Sequence, residues 1–299
     1  MTGTAPASWN LVHDVQQMWS LPFMVNAYRA GSIAAVLAAL VGYFMILRKQ
    51  TFAGHTLSVV GFPGAAGAIW LGVSATYGYF AFCLGSAAVI ALAPLRGRRF
   101  AEESALIGTV QAFALACGFL FVALYNGFLG GTTALLFGSF LGITTGQVDV
   151  LAVVAPLVVA ALAVMARPLL FVSLDPDVAR AHRVPVRFVD VGFLLLLAAS
   201  VAETAQITGV LLVFTLLVLP PATAQRLTTR PARGLLLSVA LALVTTWVAL
   251  GIAFYSPYPI GFWLSTIAFV EYVVAVAATS LAAARSRRGI GLHVAAGSA

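Results

Sequence analysis

A few polar side chains set inside long apolar stretches are the places where this sequence could do chemistry. His55 follows Gly54, Glu203 lies between Ala202 and Thr204 with Gln206 three residues on, and Glu271 sits between Val270 and Tyr272. Imidazole nitrogen suits zinc, manganese or iron, and carboxylate or amide oxygens can complete such a coordination sphere. Ionisable groups in apolar surroundings are costly to keep, so each of these positions marks a candidate cation path. Each also has a plainer reading. His55 would then be an interfacial histidine bonded to a neighbour, Glu203 a snorkelling group, and Glu271 an interhelical group bonded by Tyr272 or a nearby Thr. The constellations an intramembrane enzyme would need, a His-Glu-x-x-His pair or paired aspartates, do not occur in the sequence, so a non-enzymatic chain is expected.

The elements that must position these residues follow from composition. Of 299 residues 62% are hydrophobic and 8% charged, against about 25% charged in soluble domains. Sixteen basic and nine acidic side chains cannot cover a water-soluble surface of this size. No Asp, Glu, Lys or Arg occurs between Lys49 and Arg96, between Glu103 and Asp149, or between Arg233 and Glu271. Each gap has room for one or two helices of the roughly 20 residues that a bilayer core requires. Period-2 alternation is missing, so a membrane barrel is not expected. The sequence therefore predicts an all-α, polytopic membrane protein with eight or nine transmembrane helices plus short re-entrant or interfacial ones. The apolar runs fall at 26–47, 55–73, 77–95, 104–124, 148–166, 188–206, 208–225, 234–254 and 262–283.

The net charge of +7 does not point to nucleic acid, because the basic residues form no face. They sit at alternate ends of the apolar runs: Arg48–Lys49, Arg96–Arg99, Arg180–Arg187, Arg226–Arg233 and Arg285–Arg288. Lys and Arg mark the cytoplasmic side of a membrane protein, which places every basic residue except Arg29 at or near that face. Cys83 and Cys117 lie within apolar runs and read as small buried hydrophobes. Met1 to Trp19 contains no apolar run of the kind a cleaved signal needs.

The whole chain, 1–299, reads as a single transmembrane domain. Its segment 1–24 is expected to lie on the outer surface, with Trp9 and Trp19 at headgroup level. The glycine-rich stretch 126–147 is expected to be re-entrant or interfacial. Two polar segments, 173–190 and 220–234, read as cytoplasmic loops. In the first, Asp175 is an expected N-cap with Pro176 in the first turn of a short helix over 176–183. The end, 285–299, reads as a cytoplasmic tail. Pro63 is expected to break or kink its helix, and the small-residue ladder Gly61, Gly64, Ala65, Ala68, Gly72 to permit close packing inside the chain.

Three of these stretches, taken in order, resemble the ABC-3 family of metal-ion permeases. They are Phe52 to Gly72, Val172 to Arg187 and Thr208 to Ala224, and order and hydropathy agree over about residues 22–284. The resemblance implies a membrane-spanning permease subunit that moves zinc, manganese or iron inward, as a transported ion and with no permanently bound cofactor. It further implies a homodimer in the plasma membrane that works with a cytoplasmic ATPase and an extracytoplasmic metal-binding protein. Asp175, Ala179 and Arg183 in one cytoplasmic segment, and Pro220, Pro221, Ala222, Thr223 and Arg226 in the other, are then the positions that engage the ATPase. The family carries Asp-x-x-Ser-His on its second helix. Here His55 stands in place of the Asp and Val59 in place of the His, while Ser58 and Pro63-Gly64 are retained. No Gly-x-x-x-x-Gly-Lys-Ser/Thr phosphate loop occurs in the sequence, so ATP-driven transport requires a separate chain. The alternative is a stand-alone secondary transporter or channel, which often shows internal inverted repeats; the sequence has none that can be discerned.

Overall fold

A computed structural model describes residues 16–93, 100–125, 135, 136, 138 and 142–296. Ten helices and no strand occur among them: α1 (Pro22–Leu47), α2 (Thr51–Trp70), α3 (Ala75–Leu92), α4 (Phe100–Leu124), α5 (Thr145–Leu174), α6 (Pro176–Ala181), α7 (Val186–Thr208), α8 (Val210–Leu227), α9 (Pro231–Tyr255) and α10 (Ile260–Ala296). Eight are long and apolar enough to cross a bilayer, and α8 contributes a shorter apolar helix, Leu212–Leu227. Every apolar run read from the sequence is a helix, and the chain is a multi-pass helical membrane protein. In lipid no water serves the backbone, so each span must close its hydrogen bonds on itself.

Alanine-rich α1 is the centre of the bundle. Ala27, Ala30, Ala34, Ala35, Ala38 and Ala39 are all fully buried, and the helix packs against α5, α7, α8 and α9. Lipid tails are as apolar as any side chain, so contact between spans rests on van der Waals fit and favours small residues. The glycine ladder acts in the same way inside the chain. A Cβ on Gly64 would strike the Gly78 carbonyl of α3, and one on Gly78 would strike the Gly64 carbonyl, so α2 and α3 cross backbone to backbone. At the periphery, α4 packs mainly on α2, and α10 on α8 and α9.

Long-range bonds define the two ends. At one end Arg48 pairs with Asp190, Gln225 Nε2 donates to the Tyr43 carbonyl at 2.9 Å, and Gly234 lies against the Tyr43 ring. The Arg48–Lys49, Arg180–Arg187 and Arg226–Arg233 clusters lie at this end. At the other end Trp247 Nε1 donates to Ser32 Oγ at 2.8 Å, Trp19 stacks on Tyr28 with ring centroids 6.0 Å apart, and Thr76 Oγ1 donates to Gln206 Oε1 at 2.7 Å. Tryptophan and tyrosine suit that depth, where one edge of the ring is wet.

Four expectations are corrected or fall away. Segment 220–234 is not a loop: α8 continues through Pro220 and Pro221 to Leu227, and only residues 228–230 link it to Pro231, the first residue of α9. Helix α2 is likewise not broken at Pro63. A proline costs its helix one hydrogen bond and crowds the carbonyl four residues back. At Pro221 that carbonyl is Leu217 O, which lies so close to Gly42 of α1 that a Cβ there could not fit. Close packing on a neighbouring glycine accommodates the freed carbonyl, so the helix persists. The short helix after Asp175 ends at Ala181 rather than residue 183, closed by Val184 N–H to Ala179 O and Arg183 N–H to Arg180 O with Arg183 at φ 59°. Finally, α10 carries the 285–299 tail on as helix to Ala296. Residues 1–15 and 126–134 lie outside the described residues, as do the interfacial and re-entrant readings placed on them. The 126–147 reading ends differently at its far side, where Thr144 and Gln147 form a reciprocal capping box that opens α5.

Candidate translocation site

The polar residues of the bundle interior concentrate on α7. Ser200, Glu203, Thr204 and Thr208 are all fully buried. The hydroxyl of Thr204 donates to the Ser200 carbonyl at 2.5 Å and that of Thr208 to the Thr204 carbonyl at 3.0 Å, so both return to their own helix. Among the described residues, both carboxylate oxygens of Glu203 and the Ser200 hydroxyl have no hydrogen-bond partner. A buried carboxyl with nothing to bond is rare, because its desolvation is uncompensated.

Six residues beyond Glu203 the chain breaks. Gly209 takes φ 76° and ψ 155° and separates α7 from α8, a backbone conformation in which only glycine is comfortable. Gly138, itself at φ 79°, approaches the Ile207 and Thr208 carbonyls too closely for any side chain. The helix discontinuity that the sequence led us to seek at Pro63 is therefore at Gly209, next to the buried acid. Carbonyls exposed by a broken helix are a recurring cation-binding element in transporters.

His55 is half-buried in the second turn of α2, its ring edge-on to Phe214 of α8 with centroids 5.0 Å apart. It faces the bundle. Neighbouring Thr56 donates to Gln111 Oε1 of α4 at 2.8 Å, and Ser58 donates to the Gly54 carbonyl at 2.9 Å. Gln206 accepts from Thr76 and donates to the Ala202 carbonyl at 3.2 Å. Glu271 accepts from Thr245 of α9 at 2.8 Å through one oxygen, which is the interhelical bond foreseen for it.

These residues do not converge. Glu203 lies thirteen positions along α7 from Asp190 at the basic end, roughly 20 Å at 1.5 Å per residue, whereas His55 is only about 6 Å from the start of α2. Among the described residues no three His, Cys, Asp or Glu side chains are grouped closely enough to hold a metal ion. Within one chain the candidate ligands are spread along the bundle.

The two polar segments differ in exposure. Asp175 caps α6, accepting from the N–H groups of Asp177 and Val178 at 3.1 and 3.0 Å. Ala179 is fully buried and anchors α6, while Asp175, Asp177, Val178, Arg180 and Arg183 are exposed. On α8, Pro220, Pro221 and Thr223 are buried, Ala222 is half-buried and Arg226 is exposed. What sequence reasoning missed is the Arg48–Asp190 pair and the polar face of α7. Ser200, Thr204 and Thr208 recur at helical spacing in the sequence, and that spacing was a readable signal.

Comparison with known proteins agrees with this architecture. Residues 20–279 match the ABC 3 transport family, and the chain belongs to that family: it is a membrane-spanning permease subunit of an ABC transporter. It is 28% identical to the chelated iron transport system membrane protein YfeC of Yersinia pestis, over 80% of each chain. With the manganese transport system membrane protein MntC of Halalkalibacterium halodurans it shares 27% identity over 74% of this chain and 75% of that one. Its fold matches PsaBC from Streptococcus pneumoniae with a TM-score of 0.79 at 22% identity, covering 89% of this chain and 95% of the other. Membership implies that the chain works beside an ATPase and a substrate-binding partner.

Proposed function

We propose that this permease imports a divalent transition-metal ion across the plasma membrane as a homodimer, powered by a cytoplasmic ATPase and supplied by an extracytoplasmic metal-binding protein. The observation that carries the reading is Glu203, buried and, among the described residues, unpaired beside the break at Gly209. A passing cation is the partner such a group lacks. The ion meets Glu203 and Gln206 in the outer half of the bundle and His55 near its cytoplasmic end, and Glu271 offers its second oxygen between α9 and α10. Serial contacts suit conduction, since an ion held by a full set of ligands would not leave. Imidazole in place of the family's carboxylate moves preference toward zinc. The relatives named for manganese and iron make those ions the competing substrates. Exposed α6, rigidly seated through Ala179, engages the ATPase together with the Arg226 end of α8. The alternative, a stand-alone transporter or channel, would not need an ATPase.

Uptake of radiolabelled zinc, manganese and iron in cells expressing the full transporter tests this. His55→Ala and Glu203→Gln should each lower uptake by about tenfold, the effect of about 1.4 kcal/mol on the ion's barrier. His55→Asp with Val59→His should move selectivity toward manganese. Normal uptake by both single variants would show that the ion travels elsewhere.

A further inference from the structure

Beside the basic end of the bundle, the junction of α1, α2 and α4 encloses a cavity of about 280 Å³ that no step of ion transport requires. Arg48, Lys49, Gln50, Phe52 and Glu103 are among its walls. The arginine side chain is only 6% exposed, and it is committed on one side alone: Nη2 bonds Asp190, and the guanidinium lies over the Phe193 ring at 5.3 Å. Among the described residues, Nε and Nη1 are buried without a partner. The Oε1 of Gln50 is also buried and unpartnered. Arg48 and Gln50 both line the cavity, and among the described residues two donors and an acceptor on them are left unmet, where each would normally be bonded.

Local backbone geometry adds to the site. Helix α1 ends in a Schellman motif, Gln50 N–H to Met45 O and Lys49 N–H to Ile46 O, which sets Lys49 at φ 58° between the two helices. Helix α2 then opens with no side-chain cap at Gln50. Its first-turn N–H groups have no intrahelical partner and attract an anion. Glu103, in the first turn of α4, lines the same cavity. The cavity therefore presents cationic donors on one wall and acceptors, one of them a carboxylate, on another. It lies at the level where the basic clusters meet the cytoplasmic leaflet.

We propose that this cavity binds the headgroup of an aminophospholipid. The phosphate sits on Arg48, Lys49 and the α2 N-terminus, and the ammonium between Glu103 and Gln50 Oε1. A purely anionic headgroup satisfies the first wall and leaves Glu103 facing it unpaired, so the site prefers a zwitterion with a primary amine.

Arg48 variants would remove a buried ion pair and could fail to fold, so the test uses Lys49→Gln and Glu103→Gln, whose parent side chains make no hydrogen bond or ion pair among the described residues. The full chain in mild detergent is titrated with phosphatidylethanolamine and with phosphatidylglycerol, and bound lipid is counted by native mass spectrometry. Wild type should hold phosphatidylethanolamine about tenfold more tightly than phosphatidylglycerol, the effect of one charged hydrogen bond. Lys49→Gln should weaken both lipids, and Glu103→Gln should erase the preference. Equal binding of the two lipids by wild type, or a preference that survives Glu103→Gln, would overturn the assignment. So would loss of the lipid to millimolar inorganic phosphate, which would make this a free-anion site. Metal uptake is not the readout, so the outcome is independent of the transport reading.

Discussion

At the scale of single residues, two kinds of position govern this protein: polar groups left without partners and glycines that nothing else can replace. Glu203 is of the first kind. Gly42 is of the second, because an added methyl would meet the Leu217 carbonyl of α8. That carbonyl is also the one from which Pro221 withholds an N–H. Gly42→Ala should therefore destabilise the protein by about 1–3 kcal/mol, the usual cost of overpacking, read as earlier unfolding in a detergent–denaturant titration. Adding Pro221→Ala gives Leu217 O a helical partner and should recover part of the loss, so the double variant should be less damaged than the sum. Strictly additive effects would separate the two features.

Helices set the next scale, and here the capping chemistry explains their ends. Thr144 with Gln147, Asp175 with Pro176, and Pro231 at the start of α9 are local signals that structure and sequence share. Proline inside a span is not local in the same sense. Pro63, Pro156, Pro168, Pro220 and Pro221 all sit within continuous helices, because neighbouring spans supply packing that holds the helix in line. The crossing of α2 and α3 depends on such a neighbour. Gly78→Val should push the Gly64 backbone away and cost at least about 1–3 kcal/mol. Because Thr56, His55 and Ser58 all ride on α2, uptake should fall together with stability. A variant that loses uptake at full stability would show that Gly78 acts at the ion path instead.

For the whole molecule the question is how the energy of ATP reaches the buried acid. Helix α6 packs on α5 and α7, and α7 carries Glu203 and ends at the Gly209 break. A push on α6 moves along packed helices as a rigid body. Val178 on α6 is 42% exposed. Val178→Asp should uncouple ATP hydrolysis from uptake while leaving the unfolding midpoint within about 0.5 kcal/mol of wild type. Undiminished uptake would exclude α6 as the docking element. Assembly is checked separately: native mass spectrometry of the complex should show two copies of this chain, and one copy with its ATPase would overturn the homodimer.

Membrane crossing and helix positions were legible in the sequence because the forces behind them are local. In lipid each backbone group must find its partner within its own helix, and charge at the ends orients the whole. His55, Glu203, Gln206 and Glu271 could be named as candidates for the same reason, since a polar residue among apolar ones is conspicuous wherever it folds. What they touch was not legible. Arg48 finds Asp190 across 142 positions, and Thr76 finds Gln206 across 130. The apparent loop at 220–234 became helix because α1 brings Gly42 against α8. Only the tertiary structure decides which buried groups are satisfied by a distant neighbour. Among the described residues it leaves Glu203 without a hydrogen-bond partner.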